Sequence, residues 1–272
     1  ETIEFESYNS KIAENLSSES SQFYPRMRYK ESIITYSISE ECSLKKQKDF
    51  EEALKILEQK TILTFQKSDS GEISVLCANL PQENKEFFIA GEGGPSMIIN
   101  TSIYSVILKG KISLYRVENC ETPQVALHEL LHALGFDHNN NKKSIMYPIT
   151  DCDQILDEYI IKNIDTIYSE KSAADLSIES VKASKTGTYL NLDISILNQG
   201  LKDIKNSSLS ILVKNYPIKN IMIGEFEIGT KRTLSIKNIK ISKDVSEITL
   251  SIETKDGEID KTNNIVKIST IQ

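Results

Sequence analysis

Tryptophan is absent, histidine occurs only three times in 272 residues, and no cysteine lies beyond Cys152. The second half of the chain therefore cannot carry an antibody-type core of disulfide and tryptophan. No apolar run approaches the ~18 residues of a membrane-spanning helix. No CxxC pair occurs, which argues against a zinc site built on cysteines. Basic excess is missing as well: 32 Lys and Arg face 39 Asp and Glu, for a net charge of −7. The 11 Tyr and 8 Phe are scattered rather than interleaved with basic residues, so nucleic acid is not an expected partner. The first residue is Glu1, with neither a methionine nor an apolar leader before it. The sequence reads as a mature chain from which a signal or anchor has been removed.

What remains is an ordinary globular composition, 39% hydrophobic and 26% charged, in a chain comfortable for two domains. Cys42, Cys77, Cys120 and Cys152 make an even set confined to the first half. Such a set fits two disulfides and an extracellular or cell-surface location. Three pairings are open, of which Cys42–Cys77 with Cys120–Cys152 is the expected one; four reduced buried cysteines are the alternative. Sequons at Asn15, Asn100 and Asn206 are compatible with export.

Texture divides the chain. Residues 1–23 are rich in Ser and Glu and read as a flexible tail or stalk. From Arg26 onward SIITYSIS (32–39) reads as a buried strand. Leu44–Gln59 places Phe50, Leu54 and Leu57 on one face of a helix. ILTFQK and EISVLCA read as strands, GEGGPS (91–96) as a glycine-rich turn, and SVILKGKISLYRV as a further strand region. Thr122-Pro123 is a helix start with a hydroxyl N-cap, and Gly135 a helix stop. A last helix fits Gln154–Ser169. Beyond about Lys171 the apolar period changes from helical to two, as in Leu190, Leu192, Ile194 and Ile196. About seven short strands follow, which predicts an antiparallel β-sandwich over 174–272.

All three histidines fall within LHELLHALGFDH, Leu127–His138. On a helix His128 and His132 differ by about 40° in direction and can share one metal ion. Gly135 ends the helix and lets the returning chain present His138 as a third ligand. Three neutral imidazoles suit one catalytic Zn2+ and leave a coordination position for water. Glu129 sits about 100° around the helix from His128 and about 60° from His132. From there it can take a proton from that water without itself ligating. A purely structural zinc site would not need a glutamate there.

The HExxHxxGxxH pattern resembles that of the metzincins, zinc-dependent endopeptidases. SIMYP (144–148) resembles their Met-turn, which implies Met146 as a floor beneath the histidines. ITYSI, EALKIL, LTF and IIKNIDTIYS are similar to matrixin segments, so the resemblance covers roughly residues 24–170. It implies an α+β zincin-like catalytic domain. Some matrixin features are missing: no histidine remains for a second zinc, no PRCG-type cysteine switch occurs, and the pocket wall reads Pro148-Ile149-Thr150. Astacins and serralysins carry a metal-contacting Tyr two residues after the Met; here that place is Pro148, and Tyr147 is not assigned as a ligand. In the second half DLSIESV, ILNQG and EIDKTNN resemble a CARDB-type immunoglobulin-like domain, which implies a spacer or a substrate-binding module.

The expectation is a multidomain, secreted or surface-displayed zinc endopeptidase with a protein or peptide substrate. Glu129 acts as general base then acid, and the edge strand for substrate is placed between Gly94 and Leu108. The competing reading is an adhesion protein whose zinc only holds shape.

Overall fold

A computed structural model describes residues 2–6, 22–78 and 89–269. The chain divides into two compact units, the second taking up the chain after Lys171 together with Asn100–Ile103. Thr2–Glu6 (β1) belongs to the second unit. This departs from a tail over 1–23, since β1 is hydrogen-bonded into a sheet, with Thr2 opposite Ser184 and Glu6 opposite Ser180. Residues 7–21, with the sequon at Asn15, lie outside the described residues.

The first unit is built on a six-stranded sheet. Its elements in order are Met27–Tyr29 (β2), Ile33–Ile38 (β3), Leu44–Lys60 (α1), Thr64–Lys67 (β4), Ile73–Leu76 (β5), Gly91–Asn100 (β6), Ser105–Leu114 (β7), Gln124–Ala133 (α2) and Glu158–Ser169 (α3). Strand order is β2-β7-β5-β3-β4, every one of these pairs is parallel, and β6 pairs with β7. Helix α1 starts on Ser43, whose side chain accepts from the Lys46 N–H, and buries Phe50, Ala53, Leu54 and Leu57. That spacing is the core-facing stripe of an amphipathic helix. Lys46 is also buried, and its ammonium donates to the carbonyls of Leu114 (2.9 Å) and Tyr115 (3.0 Å) at the end of β7.

Helix α2 is different: all ten of its residues are buried. A helix buried on every side belongs in the middle of a domain, and α2, although Gln124, His128, Glu129 and His132 are polar, packs against both α1 and β7. Its N-cap is Pro123, not Thr122. The Glu118 carboxylate takes the capping role instead, accepting from the Val125 N–H at 3.1 Å. The Thr122 hydroxyl accepts from the Gln124 side chain (2.8 Å). Helix α3 begins at Glu158 rather than Gln154, because Gln154 is engaged by the preceding loop: its amide donates to Ile149 O and accepts from Asp151 N–H. Buried Arg28 donates to the carbonyls of Ile167 and Glu170, so one guanidinium satisfies the C-terminal end of α3. The disulfides are Cys42–Cys77 and Cys120–Cys152, the expected pairing.

The second unit contains Leu176–Thr186 (β8), Tyr189–Asn198 (β9), Ile204–Val213 (β10), Tyr216–Phe226 (β11), Lys231–Lys240 (β12), Glu247–Thr254 (β13) and Ile265–Ser269 (β14). Two four-stranded antiparallel sheets, β1-β8-β9-β12 and β11-β10-β13-β14, form a sandwich over an apolar core centred on Leu192, Ile194, Leu209, Ile211, Phe226 and Leu250. The three segments that resemble a CARDB domain meet at Asp175. Its carboxylate accepts from Asn263 (2.8 Å) and Gln199 (3.1 Å), and its N–H donates to Asn198 Oδ1 (3.3 Å). Asp175 is fully buried, and desolvation raises its pKa.

Candidate metal centre and cleft

The end of α2 decides where the third histidine goes. Leu134 is the C-cap and Gly135 follows with φ +98°. The Gly135 N–H bonds His132 O (2.9 Å) and the Phe136 N–H bonds Leu131 O (3.0 Å). This paired closure is the Schellman motif, which requires a left-handed residue where Gly135 stands. The chain reverses there and brings His138 back beside the helix.

The three Nε2 atoms then converge: His128 to His132 at 3.0 Å, His132 to His138 at 3.1 Å, and His128 to His138 at 3.2 Å. Around a tetrahedral ion with Zn–N of about 2.0–2.1 Å, ligand nitrogens stand roughly 3.3 Å apart. The opposite ring nitrogens are already committed. His128 Nδ1 donates to Ile145 O (2.6 Å) and His132 Nδ1 to Phe136 O (2.7 Å). Those bonds select the tautomer that turns the Nε2 lone pair inward. Desolvation pushes the His132 pKa down to about 4, with His128 adding to it, and desolvation lowers that of His128 as well. Neutral imidazoles with inward lone pairs fit a metal cation, and the three residues form a group that could hold one.

Ile145 belongs to the loop that returns from His138 to α3. Asn139 N–H donates to Met146 O (2.9 Å), and Ser144 Oγ accepts from Met146 N–H (3.0 Å) and donates to Asp157. Met146 is fully buried in the core. At the loop's far end, the Gln124 side chain donates to the carbonyls of Cys152 (2.9 Å) and Gln154 (3.0 Å), which ties the start of α2 to the same segment as Cys120–Cys152.

Glu129 is buried on α2, and its carboxyl pKa is pushed up to about 8, by desolvation first and by Glu92 second. The reason for its enclosure is β6. A Cβ at Gly91 would lie 2.8 Å from Glu129 Cγ, and one at Gly93 would lie 2.2 Å from Glu129 O. Only glycine lets the strand pass this close. GEGGPS is thus not a turn, as its glycines suggested, but the start of a strand lying on the candidate general base. The edge assigned to Gly94–Leu108 also needs correction: β7 has β2, β5 and β6 for partners, and β6 pairs with β7 alone among the described residues.

Ile89 to Gly93, the three histidines, Glu129, Asp137 and Pro148-Ile149-Thr150 line one open cleft, and so does Phe23. The Phe23 ring stacks on His132 at 5.7 Å between centroids, and its N–H donates to Gly135 O (2.9 Å). Sequence reasoning left Phe23 in a tail. No local pattern marks it, because its role comes from a bridge between Gln22 and Phe136, more than a hundred residues apart. Tyr147 is not among the described residues that line this cleft.

Residues 21–174, more than half of the chain, match the peptidase family described as Astacin. Stromelysin-2 of Rattus norvegicus is 28% identical over 142 residues, which is 48% of this chain and 30% of that protein. The chain thus spans less than a third of the length of that relative. Among solved structures, the CARDB domain of a Pyrococcus furiosus protein, in complex with di-metal ions, is similar at 13% identity and a TM-score of 0.31, covering 36% of this chain and 93% of that one.

Proposed function

This chain belongs to the astacin family of peptidases, and from that premise we propose a zinc-dependent endopeptidase acting at the cleft lined by His128, His132, His138 and Glu129. The observation that carries the reading is the convergence of three inward-facing Nε2 atoms beside a buried carboxyl group. Bound to those nitrogens, one zinc ion would supply Lewis acidity toward a scissile carbonyl and a water. Glu129 takes the proton of the attacking water and delivers it to the leaving amine. Phe136 O and Ile145 O keep His132 and His128 in the ligating tautomer. An extended peptide adds along β6, with backbone hydrogen bonds to the side of that strand that has no partner among the described residues.

The order Met146-Tyr147-Pro148 and the likeness to stromelysin-2 support a matrixin-like arrangement beneath the site, with Met146 as the Met-turn methionine. Residues 24–170 form the peptidase domain in this proposal, and 174–272 a CARDB-like module that spaces it from a surface or binds substrate. The two disulfides support an oxidising compartment, secreted or at the cell surface. Among the described residues no helix is long and apolar enough to cross a membrane.

The test is Glu129→Gln in the zinc-loaded chain, read by metal content and by cleavage of a peptide library. The expected result is unchanged zinc stoichiometry with cleavage reduced about 10²- to 10⁴-fold. Undiminished cleavage at full zinc occupancy overturns the role of Glu129. A wild-type chain that binds zinc, melts higher with it and cleaves no library member makes the domain a zinc-stabilised binding module instead.

A further inference from the structure

The cleft has an unbalanced charge that the proposed chemistry does not use. Among the described residues, two ionisable side chains line it besides the histidines and Glu129, namely Glu92 and Asp137, and both are acidic. The other described lining residues are uncharged, among them Phe23, Ile89, Pro148 and Ile149.

Glu92 sits between the two glycines whose missing side chains face Glu129. Successive residues of a strand point to opposite faces, so Glu92 is turned to the other face of β6 and is exposed there. Its carboxylate has a fixed partner: the Tyr115 hydroxyl donates to Oε2 at 2.7 Å. An anion is thus anchored on the strand along which a peptide would lie, next to the residue expected to move the proton. Asp137 is less available, since its Oδ1 accepts from the His138 N–H at 2.7 Å.

We propose that Glu92 selects substrates carrying lysine or arginine within the residues that flank the scissile bond. This deepens the peptidase reading and rests on it. A cationic side chain meets an anchored carboxylate at the rim of the cleft, while an acidic one meets like charge there. The interaction is partly solvated, so its effect is modest and weakened by salt.

The experiment compares peptides that differ at one flanking position, Lys or Arg against norleucine and against Glu. It uses the zinc-loaded wild type, Glu92→Gln and Glu92→Lys. The wild type is expected to favour Lys and Arg over norleucine by about 3- to 5-fold in kcat/KM at low salt, and less in ~0.5 M salt. Glu92→Gln keeps an oxygen for the Tyr115 hydroxyl but loses the charge, and should bring the ratio below about 2-fold. Glu92→Lys should move the preference toward Glu. A role limited to bracing β6 through Tyr115 would leave the ratio unchanged in Glu92→Gln. That result, or a wild type indifferent to charge, overturns the proposal. The same peptides are also titrated for binding to the zinc-loaded Glu129→Gln chain. Charge-dependent binding that requires Glu92, with no cleavage by the wild type, would remove the peptidase reading and keep this one. Charge-independent binding with cleavage intact would do the reverse.

Discussion

At Gly135 one residue joins helix termination to the geometry of the metal centre. Its φ of +98° lies where L side chains rarely go, and a Cβ there would stand 2.6 Å from Met27 Cγ and Sδ. Gly135→Ala should cost about 1–2 kcal/mol from the backbone alone, with more from the overlap. It should also weaken zinc binding, because His138 follows three residues on. Gly187→Ala is the control: φ is +60° but nothing lies within 4 Å, so only the backbone part applies. Urea denaturation and zinc competition against a chromophoric chelator read the two effects; equal zinc affinity in wild type and Gly135→Ala would separate the helix stop from the site. The grouping of His128, His132 and His138 and the helix stop at Gly135 were legible in the sequence, because a shared set of ligand atoms needs particular residue types at helical spacing. Phe23 and Glu92 were not, since nothing in their neighbourhood along the chain says what lies across from them.

Among the elements, α2 was legible in its middle and misread at its start. Thr122-Pro123 has the local chemistry of an N-cap, but Glu118 supplies a charged acceptor to the Val125 N–H that a hydroxyl would otherwise serve. A longer-range partner displaced a local one. Strand β6 shows the larger failure: three glycines in four residues look like a turn, whereas two of them are demanded by the approach of Glu129. The loop from Cys120 to Cys152 encloses α2 and the metal centre with a sequence separation of 32. Replacing both cysteines by serine should lower stability by about 3–4 kcal/mol on the loop-entropy view. Thermal melting of the oxidised wild type against the double variant, both with Cys42–Cys77 intact, checks this; a loss below ~1 kcal/mol would mean that Gln124 and its carbonyl partners secure the segment without the bridge.

For the whole molecule, a period-two pattern and three short segments were enough to foresee a sandwich, and Asp175 shows why those segments share a signature. They form one buried polar knot in which Asp175 is hydrogen-bonded to Asn198, Gln199 and Asn263. The assignment of β1 to that same unit was not legible, because five residues at the start of a chain carry too little pattern to name a partner near residue 180. Calorimetry of the zinc-loaded chain should show separate transitions for the two units, with chelation lowering the one that contains the histidines and leaving the sandwich in place. A single transition moved as a whole by chelator would mean that the units unfold together.

The contact between β6 and Glu129 also bears on how such a cleft can diversify. Positions 91 and 93 are closed to any side chain, while 92 is already substituted and a Cβ at 94 meets nothing within 4 Å. Over residues 91–94 substitution is confined to the alternate positions 92 and 94. A lineage or a mutant library can therefore change side chains at the rim while the close packing of the strand on Glu129 is kept, and a change at 92 also reaches the Glu129 carboxyl through charge alone.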